Sequence, residues 1–252
     1  MSKMTDRLSN QDIITLAKKQ YETEKRSKLP SVIVPLTSKG LVYPENHLLR
    51  EGSIEMRYMT AYDEDILTNI SYRKNGTVFD KLLEAIILTP IDVKDINMVD
   101  KFGLIINARI LAYGAEYAVT VTDSKTKKTY NRIIDLNKLN VKPFDLAPDV
   151  NGEFSYKVND EWELKFKFAS DDSLTGAVSE FLKKTITQVN DSRNSDDISN
   201  FIRYEFLSFD AKKFRTYVAE NTPGIDLMIE FEGENGDTFK SLFPVGSELF
   251  WF

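Results

Sequence analysis

Apolar and polar positions follow two rhythms along this chain, and the clearest run lies between Ile54 and Gly114. Ile54, Met56 and Tyr58 alternate with Glu55 and Arg57, a period of two that predicts a half-buried strand. Thr60 with Asp63 three residues on is a variant capping box, and it predicts a helix from Ala61 to about Ile70. Asn75-Gly76 breaks the chain. Thr77 then caps a second helix with Val78, Leu82, Leu83, Ile86 and Ile87 on one face, and Pro90 is expected to end it. Met98, Val99, Phe102, Ile105, Ile106, Arg109 and Ile110 recur at helical spacing and predict a third helix. Gly114 falls where a left-handed C-terminal cap belongs.

The flanking segments are read the same way. Ser9 or Asn10 caps an N-terminal helix with Ile13, Ile14, Leu16, Ala17 and Tyr21 along one side. Pro30 and Pro35 frame an extended Ser31-Val32-Ile33-Val34, Thr37 to Gly40 is a turn, and Leu41 to Pro44 is expected to be extended again. Tyr117, Val119 and Val121 pair with a return strand, Tyr130 to Leu136, around the polar turn Asp123 to Lys128. Phe154, Tyr156 and Val158 form one strand, and Trp162, Leu164, Phe166 and Phe168 a second, amphipathic one. Ser173 is expected to open a helix running to about Val189. Two further helices follow, one on Ile198, Phe201, Ile202 and Phe206, the other capped by Ser208 and faced by Ala211, Phe214, Tyr217 and Val218. Pro223-Gly224 stops the last of them, and Leu227 to Phe231 with Thr238 to Phe243 makes a final hairpin.

Each half thus runs strand, helices, stop, hairpin. The expected fold class is α+β with antiparallel strands, arranged as two lobes of a helical group with β-hairpins. The expected division is an N-terminal helix and basic arm at 1–30, a first lobe at 31–141 and a second at 142–252.

Composition narrows the function classes. A hydrophobic fraction of 42% beside 29% charged residues is that of a soluble globular protein. The net charge of −6 does not imply a nucleic-acid-binding surface. With no cysteine there are no disulfides, thiolate nucleophiles or cysteine-held metals. No apolar run approaches the roughly 20 residues of a membrane span, and Met1 to Gln20 lacks a signal-peptide core, so a cytosolic protein is expected.

Candidate chemistry is sparse. His47 lies in a loop without a serine motif beside it, and neither Gly-rich phosphate-loop pattern occurs. Asp63-Glu64-Asp65 is the densest carboxylate cluster, but adjacent helical residues point about 100° apart and do not converge on one metal. Their place in a first helical turn, favoured by the helix dipole, explains them, as it does Asp171-Asp172 and Asp196-Asp197. No catalytic residue, cofactor site or metal site is therefore assigned. Arg109 interrupts an apolar helix face and is expected to bury its stem and pair its head with a carboxylate.

Two features suit a protein partner. Lys18, Lys19, Lys25 and Arg26, diluted by Glu22 and Glu24, form either a solvated linker or an arm that docks on an acidic partner. Phe250, Trp251 and Phe252 either pack back on the domain or anchor into a partner. Removing 249–252 is expected to weaken partner capture without unfolding the chain.

Leu41-Val42-Tyr43-Pro44, the run Ile54 to Leu67, Gly76 to Leu83, Asp100, Arg109 and Tyr113-Gly114-Ala115-Glu116-Tyr117 together carry a resemblance. With Phe243 to Gly246 and Phe250-Trp251, this pattern resembles the baseplate hub assembly proteins of T-even-type contractile-tailed phages. The resemblance implies assembly of the central hub, hub proteins as partners, and no catalytic site to transfer. Many relatives carry Cys-x-x-Cys in each of two hairpins. The corresponding turns here, Asp123 to Lys128 and Gly233 to Asp237, have none, so metal binding is not carried over.

The expectation is a non-enzymatic, chaperone-like hub assembly factor in the cytoplasm of the infected bacterium. It binds hub proteins, but neither nucleic acid nor membrane. A structural subunit retained in the virion baseplate is the alternative, and a carboxylate-metal hydrolase using Asp63 and Asp65 a third.

Overall fold

The computed structural model describes residues 28–168, 177–233, 236–243 and 247–250. The N-terminal helix with its basic arm, the start of the helix at Ser173, and Trp251-Phe252 lie outside the described residues.

Strand β1 (Ser31–Pro35) pairs antiparallel with β2 (Ser53–Arg57), Val34 facing Ile54. Helices α1 (Ala61–Thr68), α2 (Ile70–Lys74), α3 (Val78–Ile86) and α4 (Met98–Tyr113) follow. Asn69 separates the first two helices by capping α2, its Oδ1 accepting from the Ser71 and Tyr72 amides. Helix α3 stops four residues ahead of Pro90. Ile87 leaves the helix to bridge Met56, and the Leu88 amide donates to the Glu55 carbonyl, so sheet pairing ends the helix before proline does.

Leu41 to Pro44 is not extended. Three amide bonds, Lys39 to Leu36, Leu41 to Ser38 and Tyr43 to Gly40, wind 36–43 into consecutive turns. Gly40 is essential to them, at φ +79° with its α-carbon so near the Arg50 carbonyl that a Cβ would sit 2.5 Å from that oxygen. A short 3-10 turn, Leu48–Glu51, closes this region against β2.

The first hairpin joins β3 (Glu116–Thr122) to β4 (Thr129–Asp135), with Tyr117, Val119 and Val121 turned inward. Next, β5 (Phe154–Lys157), β6 (Glu163–Phe166) and β7 (Ile186–Val189) make a three-stranded antiparallel sheet in that order. Helix α5 (Val178–Thr185) is therefore shorter than the spacing of Phe181, Leu182, Ile186 and Val189 predicts. Ile186 and Val189 belong to a strand, because Phe166 and Leu164 pair with them across the sheet.

Helices α6 (Ser195–Tyr204) and α7 (Ser208–Asn221) come next. Phe214 of α7, fully buried, meets the Phe166 ring edge-on at 5.5 Å. Phe144, Phe154 and Phe168 complete this aromatic core, each buried ring contributing ~1.5–3 kcal/mol by leaving water. The final hairpin, β8 (Met228–Glu232) and β9 (Thr238–Leu242), lies on the first one, with Tyr130 against Phe239 and Tyr117 against Phe243.

The fold is α+β with small antiparallel sheets. Buried apolar side chains from Val34 to Phe250 join one cluster, and main-chain bonds from Lys142 to Gly224 and from Glu45 to Val150 link segments distant in sequence.

Candidate docking surface

Asp100, Asp63 and Arg109, three charged side chains that the fold buries, are each taken up by hydrogen bonds within it. Asp100, in the first turn of α4, is wholly buried. Its carboxylate accepts from Thr37 Oγ1 (3.0 Å), the Ser38 amide (2.8 Å), Ser38 Oγ (2.7 Å) and the Tyr43 hydroxyl (2.8 Å). Thr37 Oγ1 shares its one proton with the Val99 carbonyl at 2.7 Å; with the three other donors it offsets the cost of burying this charge and clamps the turns at 36–43 onto α4. The Tyr43 hydroxyl also accepts from the Asn97 amide at 3.0 Å. Burial, with Asp100 alongside, pushes its pKa far up and keeps it a donor.

Asp63 is not the exposed first-turn carboxylate that the helix dipole alone would explain. Arg57 donates to both of its oxygens, at 2.7 and 2.8 Å, and both side chains are buried. The Thr60 amide adds a third bond at 2.7 Å. Burial alone would raise the Asp63 carboxyl, but the Arg57 and Thr60 hydrogen bonds hold it below the usual carboxylate range. A metal at Asp63 would have to displace this pair. Among the described residues no group of three or more metal-ligating side chains converges.

Arg109 is buried as expected, and its head donates to main-chain carbonyls of Leu249 (2.8 Å), Gly114 (2.8 Å) and Glu116 (3.3 Å). Gly114 has φ +84° but ψ 173°, which is not the left-handed cap conformation; such a backbone is nearly confined to glycine. That conformation turns its carbonyl toward Arg109. The Tyr113 hydroxyl donates to Glu64 at 2.8 Å, and burial followed by this bond moves its pKa up to about 12. His47 caps the 3-10 turn, its Nδ1 accepting from the Leu49 amide, and its ring stacks on Tyr43 at 5.2 Å.

Of the residues proposed for partner contact, Lys18, Lys19, Lys25, Arg26, Trp251 and Phe252 lie outside the described residues. Phe250 is 2% exposed and packs against Phe79 and Tyr113, so its ring is part of the core. Leu249 beside it is fully buried.

The surface has apolar features of its own. Tyr204, Leu207 and Phe209 stand out at the corner between α6 and α7, exposed by 71%, 67% and 67%. Phe206 turns inward between them and stacks on Phe201 at 4.9 Å, which holds the corner rigid. Arg203 lies over the Tyr204 ring and Lys213 over Phe209. The sequence carries a signal for this corner: all three large side chains fall off the apolar faces of the two helices they flank.

A groove of about 430 Å³ runs between α5 and α7 and the chain at 142, lined by Lys142, Val178, Phe181, Arg215, Val218, Ala219 and Thr222. Another depression, about 490 Å³, is lined by Ile70, Arg73, Lys74, Gly76, Val78 and Phe79, close to buried Phe250. No described helix is long and apolar enough to cross a membrane.

Comparison with curated proteins and with solved structures gives no match. A family model described as T4 bacteriophage base plate protein matches residues 41–240. That span takes in Tyr43 and Asp100, the Arg57–Asp63 pair, the β3–β4 hairpin, the aromatic corner and the α5–α7 groove, and it ends within β9. This chain therefore belongs to the T4 bacteriophage base plate protein family.

Proposed function

We propose that this protein is a non-enzymatic assembly factor of the phage baseplate hub. It binds hub components in the cytoplasm of the infected bacterium and promotes their association. The observation that carries the reading is the family match over residues 41–240. The placement of polar and apolar groups supports it: Asp100, Asp63 and Arg109 are taken up inside the fold, while Tyr204, Leu207 and Phe209 face outward on a rigid corner. A rigid apolar corner lowers the ordering cost of association, because little side-chain and loop freedom is lost when a partner docks. On this reading no side chain transforms a substrate.

A second reading, a subunit that stays in the finished baseplate, is favoured by the family description itself. One experiment separates the two. Phage lacking this chain are examined for hub and baseplate intermediates, and purified wild-type virions are analysed by mass spectrometry. The assembly factor predicts stalled hubs in the mutant and no stoichiometric copy in the virion. A stoichiometric copy in the virion supports the retained subunit. Normal baseplates in the mutant overturn both.

A further inference from the structure

We infer that the groove between α5 and α7 binds an acidic, amphipathic segment of another baseplate protein. The inference rests on the baseplate assembly reading and deepens it by assigning a site and a partner chemistry. Three observations converge on one place. The groove, about 430 Å³, is large enough for two or three side chains of a docked segment. Its apolar part is formed by Val178, 45% exposed although hydrophobic, with Phe181 and Val218 beneath. Two cations, Lys142 and Arg215, line it as well, and neither has a salt-bridge partner among the described residues. Arg215 Nε is also buried without an acceptor.

Charge complementarity selects the occupant. Lys142 and Arg215 leave positive charge beside the apolar side chains of the groove in a chain whose net charge is −6. A segment that places a carboxylate opposite Lys142 and Arg215, and apolar side chains over Val178 and Ala219, pairs both halves of the site at once. A second copy of this chain is disfavoured. Its own exposed apolar corner carries Arg203 and Lys213 over the rings of Tyr204 and Phe209, which would bring cations against cations. A basic or purely apolar segment would leave Lys142 and Arg215 unpaired.

The test uses the full-length chain with a photo-crosslinking benzoylphenylalanine at Val178, on the half-exposed rim of the groove, irradiated with each purified baseplate component of the same phage in turn. The expected result is a crosslink to one component, mapped by mass spectrometry to a segment in which aspartate or glutamate is interspersed with apolar residues. Introducing K142E and R215E should cut its yield at least tenfold at an unchanged melting temperature, and K142Q with R215Q should give an intermediate loss. Ala219→Trp, which fills the groove while keeping both cations, should abolish competition by the unlabelled chain. The inference is overturned if the crosslink forms with no component, with a second copy or with this chain's own residues. It is equally overturned if the yield survives charge reversal. Infection with phage lacking the chain is scored separately: normal baseplates there defeat the assembly reading, while the crosslink alone decides the groove.

Discussion

Arg109 Nε donates to the carbonyl of Leu249 at 2.8 Å, across 140 positions of chain. This bond fixes the 3-10 turn Ser247–Phe250 against α4, where the Tyr117 hydroxyl reaches the Glu248 carbonyl and Phe250 fills the space beside Phe79. The end of the described chain is thus part of the core, held by a side chain from its middle.

Arg109→Met should therefore destabilise the protein by about 3 kcal/mol or more, because it leaves buried carbonyls without donors. Arg109→Lys should recover less than half of that, since an ammonium lacks the planar fork that serves three acceptors. Urea unfolding measures both. Deleting 249–252 should cost about 5 kcal/mol or more through the loss of Leu249 and Phe250 alone. With both residues in the core, such a truncation is expected to report on stability as well as on partner capture.

The Arg57–Asp63 pair gives a pH dependence. The folded carboxyl titrates below its unfolded value of about 3.9, so its contribution is complete above that pH and is lost as pH falls through the folded value. Wild-type urea midpoints should fall more steeply below about pH 4 than those of a variant carrying Arg57→Met with Asp63→Leu. Arg57→Met alone should cost about 3–5 kcal/mol at pH 7, since it strands a buried carboxylate.

Tyr43→Phe removes one oxygen, which takes one donor from the buried Asp100 carboxylate and leaves the buried Asn97 amide without its acceptor. A loss of about 2–4 kcal/mol is expected, above the usual value for one hydrogen bond. Hydrogen exchange should show faster opening of the turns at 36–43 than of β3 and β4.

Serine at Tyr204, Leu207 and Phe209 together should leave stability within about 1 kcal/mol, because these side chains are exposed and bury little. The same triple variant should lower the yield of hub intermediates in infected cells. Thermal unfolding and intermediate counts, measured on the same variant, separate a surface role from a structural one.

Helix α4 was legible because sixteen residues carry a sustained helical period with a stop at Gly114, whereas its cap at Asn97 emerges from the structure. The hairpins were legible from alternation around polar turns. Ile186 and Val189 were not, since a spacing of three reads as a helix face, and the strand that buries both has a register shift against Lys165 and Phe166 that no local pattern announces. The end of α3 was hidden for the same reason: Ile87 answers to Met56, thirty-one positions earlier. The buried clamp at Asp100 joins residues 57 to 63 positions apart, and no local pattern announces it. For the candidate surface, sequence drew attention to aromatics at the chain end, and Phe250 faces inward. The corner at Tyr204, Leu207 and Phe209 was present as three large side chains off the helical faces.

Asn97 has a further consequence. Its Oδ1 caps α4 through the Val99 amide while its Nδ2 donates to the Phe168 carbonyl, seventy-one positions away. A pull on the segment just after β6 is therefore delivered to the first turn of α4, the longest of the described helices, and tension from one docked neighbour would reach that turn as fraying. Asn97→Asp keeps the cap but sets oxygen against oxygen at Phe168, severing the mechanical link while sparing the helix.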